Sequence, residues 1–116
     1  MAQQTLENSK QVEKEQWVGF CDATSDGNRG RTISLEVIDP ESGDETPVES
    51  APLSAIVCDP EGKGNDITIE TGSEQVDYAH TVQAPTELWQ AQDSNGKLMA
   101  IEIKGEDGSQ VIVRFA

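Results

Sequence analysis

The chain has 116 residues and a formal charge of −14, with 8 basic and 22 acidic side chains. That length fits one domain and excludes a multidomain enzyme, while the scarcity of Lys and Arg excludes a nucleic-acid partner, whose phosphates are bound chiefly by basic side chains that release counterions. A hydrophobic fraction of 34% together with ten glycines supports a thin core rather than a disordered chain.

In chain order, the polar stretch 1–8 is predicted to fray and residues of about 9–25 to form a helix. At 100° per residue, Leu6, Trp17, Phe20, Cys21 and Thr24 fall in one sector, an apolar stripe strongest toward the C-terminal end. Asn8 or Ser9 is placed to cap its start, and Asp26-Gly27-Asn28 with Gly30 to end it. From Arg31 the period changes to two. Ile33, Leu35 and Val37 alternate with Ser34 and Glu36, and a loop opening at Asp39-Pro40 and rich in Gly, Glu and Asp follows. Further strands are predicted at Leu53 to Cys58, Asp66 to Thr71, Val76 to Val82, Glu87 to Gln92, Lys97 to Lys104 and Gln110 to Phe115. Of these, Lys97 to Lys104 sets Met99, Ile101 and Ile103 on one face. Asn95-Gly96 and Asp107-Gly108 are dipeptides favoured in tight hairpins, so the C-terminal half reads as an antiparallel meander. The predicted fold is α+β: a single domain over 1–116, with one N-terminal helix packed on a curved, mainly antiparallel sheet or partly open barrel of about six strands.

The longest uncharged runs, 50–58 and 78–86, have nine residues each, where a membrane helix needs about 20. No membrane partner is expected, and the negative charge opposes an anionic lipid surface. Residues 1–8 lack the basic and apolar segments of a secretory signal, so a cytoplasmic location is expected. In that compartment Cys21 and Cys58 are expected to stay reduced, as small buried hydrophobes. The acidity divides evenly between the halves of the chain. It has three readings: a solvated surface that maintains solubility, halophilic adaptation under strong screening, or an anionic face for a basic partner.

Several stretches taken together carry a family likeness. They are Trp17 and Phe20; Pro52-Leu53 with Ile56 and Asp59-Pro60; Asp66-Ile67-Thr68-Ile69-Glu70; Asp77, His80 and Pro85 before Leu88-Trp89; Ile101-Glu102-Ile103; Asp107-Gly108; and Val111 to Phe115. Over Glu13 to Phe115 the chain resembles a bacterial family of small proteins known only as a domain of unknown function. The resemblance implies a shared fold and brings no activity, cofactor or catalytic residues.

Candidate chemistry is sparse. Counting from Asp59, Glu61, Lys63, Gly64 and Glu70 fall at positions 3, 5, 6 and 12 of a calcium-loop pattern, but Lys63 puts a cation where an oxygen ligand belongs. A polar hairpin loop is the better account. His80 is the one histidine, and nothing in the spacing brings it beside Cys21 or Cys58 as a catalytic pair. Two Cys and one His without a C-x-x-C pair fall short of a zinc shell, and Gly62-Lys63-Gly64 lacks the spacing of a phosphate loop. No catalytic residue, metal or cofactor is assigned.

Two function classes follow. The first is a non-enzymatic protein-interaction module that meets a protein partner, or a second copy to form a homodimer, through a free sheet edge or the wet face. The second is a small-ligand-binding barrel or small enzyme with a pocket near Cys58, Asp59, His80 and Trp89.

Overall fold

The structure, a computed structural model, describes residues 9–59 and 66–116. Among these the chain forms β1 (Ser9–Gln11), a 3-10 turn (Lys14–Gln16), α1 (Trp17–Asn28), β2 (Thr32–Asp39), β3 (Gly43–Cys58), β4 (Ile67–Thr71), β5 (Tyr78–Val82), β6 (Pro85–Gln92), β7 (Leu98–Gly105) and β8 (Gln110–Phe115). The strands make one eight-stranded sheet in the order β1-β6-β7-β8-β2-β3-β4-β5. Every pairing is antiparallel. The fold is α+β, with α1 packed on an open antiparallel sheet.

Two of the eight strands' features lie outside the predicted set of about six. Ser9–Gln11 was expected to open the helix; it pairs instead with Trp89–Ala91 of β6. Trp17 explains why. Its indole Nε1–H donates to the Val12 carbonyl at 2.8 Å, and the Val12 amide donates to the Leu88 carbonyl at 2.7 Å, which draws the segment before the helix onto the sheet. The helix therefore starts at Trp17. The second feature is the length of β3, whose first half, expected as loop, pairs with β2 as far as Asp39↔Gly43. In that half only Val48 is buried, because the β2–β3 hairpin projects beyond the core with both faces wet. Without a dry face there is no alternation to read.

The β2–β3 turn is closed by the Asp39 carboxylate, which accepts hydrogen bonds from the Glu41 and Ser42 amides at 2.8 and 3.0 Å. Those amides, Ser42 first, hold the Asp39 carboxyl below its usual range. Asp93 is held down likewise by the Lys97 amide in the β6–β7 turn, and Asp107 by the Ser109 hydroxyl in the β7–β8 turn.

The inner face of the sheet carries Ile33, Leu35, Leu53, Ile69, Ile101 and Val113, all fully or almost fully buried, and α1 covers it with Trp17, Cys21 and the flank of Phe20. On β7 the inner set is Leu98, Ile101 and Ile103 rather than Met99, Ile101 and Ile103: the register shifts opposite Ala91 and Gln92 of β6, where Met99 is the extra residue on β7 and is exposed. The helix is fixed to β3 by Ser25, whose hydroxyl donates to the Ile56 carbonyl at 3.0 Å and accepts from the Ile56 amide at 2.8 Å. Its C-terminal end is fixed by Arg31. That guanidinium donates to Asn28 Oδ1 and the Leu98 carbonyl, both at 2.9 Å, and lies 4.7 Å from the Phe115 ring centroid.

The Ser25 contact also determines the fate of the cysteines. One helical turn back from Ser25 stands Cys21, and two strand residues on from Ile56 stands Cys58; a turn of about 5.4 Å and a strand step of about 6.7 Å nearly match. The two Cα atoms are 6.0 Å apart and the sulfurs form a disulfide. The expectation of two reduced thiols is corrected accordingly. Their sequence separation carries no trace of a helix lying along a strand in that register.

Candidate functional site: the outer edge of β5

An open sheet has two edges. The β1 edge is only three residues long. The other is β5, five residues with a burial rhythm set by its partner: Tyr78, His80 and Val82 face the core side with Thr71, Ile69 and Ile67 opposite, and Ala79 and Thr81 face outward beside Glu70 and Thr68.

The direction of each β5 amide follows from the strands beneath. The Asp59 amide donates to the Asp66 carbonyl at 2.9 Å, which makes that pair a hydrogen-bonded one between β3 and β4. With the unbroken register from Ala55↔Glu70 to Cys58↔Ile67, the backbone groups of Thr68 and Glu70 also turn toward β3. Those of Ile67, Ile69 and Thr71 then turn toward β5 and pair with Val82, His80 and Tyr78. By the same alternation, the N–H and C=O groups of Ala79 and Thr81 point away from the sheet. Among the described residues no strand lies beyond them.

The edge strand itself carries no charge, although Glu70 stands beside Ala79 on the outer face and the Asp66 carboxylate accepts from the Ala84 amide at 3.3 Å. No Asp, Glu, Lys or Arg occurs from Tyr78 to Thr86. On the outer face the hydroxyls of Thr68 and Thr81 hydrogen-bond to each other at 2.9 Å and Val57 is exposed, as is Val76 in the turn before β5. Elsewhere the outer face is charged and paired across strands. Arg114 binds Glu36 at 2.7 Å, Lys104 lies 3.9 Å from Glu87, and Gln110 bonds to Glu102. The neighbouring Asp44 and then Arg114 hold the Glu36 carboxyl below its ordinary value, and Glu36 in turn raises that of Asp44. Such pairs occupy each other's capacity, which the outward backbone groups of β5 do not share.

The four residues nominated from sequence are not gathered into one hollow. Cys58 ends β3 on the inner face in its disulfide, with Asp59 beside it. His80 lies on the same face two strands away, since Cys58 aligns with Ile67 and Val82 while His80 aligns with Ile69. Trp89 sits on the opposite face of β6: its neighbour Leu88 is fully buried, and the indole Nε1–H donates to Glu87 Oε1 at 2.8 Å. A shallow polar hollow of about 250 Å³ is lined by Thr86, Lys104, Gly105, Gly108, Ser109 and Gln110, none of them among the four. The calcium-loop residues Glu61, Lys63 and Gly64 lie outside the described residues. Among the described residues no three His, Cys, Asp or Glu side chains converge as metal ligands, and no helix is long and apolar enough to cross a membrane.

His80 is half-buried, and desolvation lowers its pKa below the ordinary imidazole value. The unfolded chain therefore binds a proton that the folded chain resists, so stability is complete above the unfolded pKa of about 6.5 and is lost as pH falls through it toward the lower folded value. Urea midpoints measured at pH 7.5 and 5.5 are expected to fall on acidification, and to fall less in His80→Gln. Equal slopes in the two proteins would show that His80 does not contribute.

An uncharacterized protein of Aquifex aeolicus (strain VF5) is 29% identical over 107 residues, covering 92% of this chain and 91% of the relative. No solved structure matches the chain. The family of unknown function DUF5335 matches residues 8–116, every described strand and the helix included, and the chain belongs to that family.

Proposed function

We propose that the protein is a non-enzymatic interaction module that accepts an extended strand on the outer edge of β5. The observation that carries this reading is a pair of outward backbone groups, at Ala79 and Thr81, on a strand without charge in a chain of −14. An incoming strand gains main-chain hydrogen bonds there and meets no like charge in Tyr78 to Thr86. Acidic groups elsewhere keep the rest of the surface solvated and limit indiscriminate pairing.

The test uses a displayed library of random heptapeptides selected on the immobilised protein, with Thr81→Pro as the comparison. The Thr81 amide points outward, so proline removes an edge donor without breaking a main-chain bond to β4, and proline is tolerated on edge strands; the Thr68–Thr81 hydroxyl bond is lost with it, and Thr81→Val, which loses that bond and keeps the amide, is the control. Peptides rich in β-branched residues should be enriched on the unaltered protein. They should bind Thr81→Pro at least tenfold more weakly while its circular dichroism is unchanged. Selection that yields no peptide sensitive to this substitution would overturn the reading.

A further inference from the structure

We infer that the strand completing β5 is β5 of a second copy of this chain, antiparallel about a two-fold axis through His80. The inference rests on the reading that this edge accepts a strand, and it names the occupant. Outward backbone groups at Ala79 and Thr81 are symmetric about His80. Setting His80 opposite His80 of the second copy makes Ala79 face Thr81, and Thr81 face Ala79, as two hydrogen-bonded pairs that exchange four N–H···O bonds. No other antiparallel register uses both residues on both chains.

The side chains agree with that register. On the inner face Tyr78 meets Val82 of the copy on either side of the central histidines, so an aromatic and a β-branched residue form each flanking pair, a favourable cross-strand combination. On the outer face Thr68 and Thr81, already joined through their hydroxyls, continue into Ala79 of the copy. No charged residue faces another.

The placement of charge permits a second copy at this edge, and the symmetry of the outward groups about His80 is what selects it. Two chains of −14 repel unless they meet where acidic groups are remote. Asp77, the nearest acid on the edge segment, faces Gln83 of the copy. It stands roughly 20 Å along the strand direction from its own counterpart, beyond a screening length of about 8 Å at physiological salt. The interface is isologous, closes at two subunits, and joins two eight-stranded sheets into one. With four main-chain bonds and a narrow strip of side chains it is small, so dissociation is expected at roughly 10–100 µM.

Sedimentation equilibrium from 5 to 500 µM in 0.15 M salt tests this. The unaltered chain should fit a monomer–dimer equilibrium, and Thr81→Pro should weaken dimerisation at least tenfold. Because a proline could also disturb the fold, cysteine substitutions supply a second readout. Under mild oxidation His80→Cys should form a covalent dimer, since its sulfur meets its own counterpart. Thr81→Cys should not, because Thr81 faces Ala79. A monomer at 500 µM, or equal cross-linking at the two positions, would overturn the second copy as occupant. If heptapeptides are still captured in a Thr81-dependent way, only the choice of occupant fails; if they are not, the edge reading fails as well.

Discussion

Removing the disulfide by Cys21→Ala with Cys58→Ala is expected to lower the unfolding free energy by about 4 kcal/mol, the chain-entropy value for a loop of 37 residues. The effect is large because α1 is weak alone. It has 12 residues, its N-cap Gln16 makes no side-chain cap bond, and its last turn holds no basic residue to complement the helix dipole. Trp17, Ser25 and the disulfide are what hold it to the sheet. Urea denaturation followed by far-ultraviolet circular dichroism measures the loss. Cys21 is wholly buried and Cys58 is 7% exposed, so dithiothreitol must wait for the helix to open. Reduction of the native protein should therefore be slow and should accelerate below the urea midpoint. A double variant within 1 kcal/mol of the parent, or reduction as fast as in denatured chain, would remove the staple from this account.

Gly72→Ala should destabilise the protein by roughly 3 kcal/mol or more. An added Cβ would stand 2.1 Å from the Gln75 carbonyl oxygen and 3.0 Å from the Asp77 amide nitrogen, both backbone atoms, at a φ of +137°. The Asp77 amide is held by its bond to the Thr71 carbonyl, and Gly72 itself by the bond of its amide to the Pro52 carbonyl, so the clash is relieved only by breaking the turn. Gly96→Ala provides the comparison. Its φ is +84° but nothing lies within 4 Å of the new atom, so it carries only the left-handed backbone penalty of about 1–2 kcal/mol. Thermal unfolding of the two variants in parallel should separate them clearly. Equal losses would mean that the turn before β5 is not closed as described, and with it the position of the β5 edge.

Local signals in the sequence define most elements, and relations between distant elements are what they omit. The stripe of Trp17, Phe20, Cys21 and Thr24 is legible because a 3.6-residue period has one physical cause. Asn95-Gly96 and Asp107-Gly108 are legible because tight hairpins need their backbone freedom. β1 is not, since three polar residues that pair with β6 have no period of their own. The face of Trp89 is also hidden: Leu88 and Trp89 are both apolar, and only the pairing of Leu88 with Ile103 decides which turns inward. Of the candidate site, the sequence shows a charge-free run from Tyr78 to Thr86 and a histidine within it. That the run forms an edge depends on sheet order, which no window of neighbouring residues contains.

The pairing of β2 with β8 joins Ile33 to Phe115 and Leu35 to Val113, residues from opposite ends of the chain, in the middle of the sheet. On one side of that seam β2 to β5 follow each other as hairpins, and on the other β6 to β8 do the same. Each group can zip quickly through short loops, whereas the seam must gather both before its contacts reward the closure. Refolding speed is thus governed by the central seam, and conservative trimming of Leu35 or Val113 should slow refolding more than similar trimming at Ile69 in the β4–β5 hairpin.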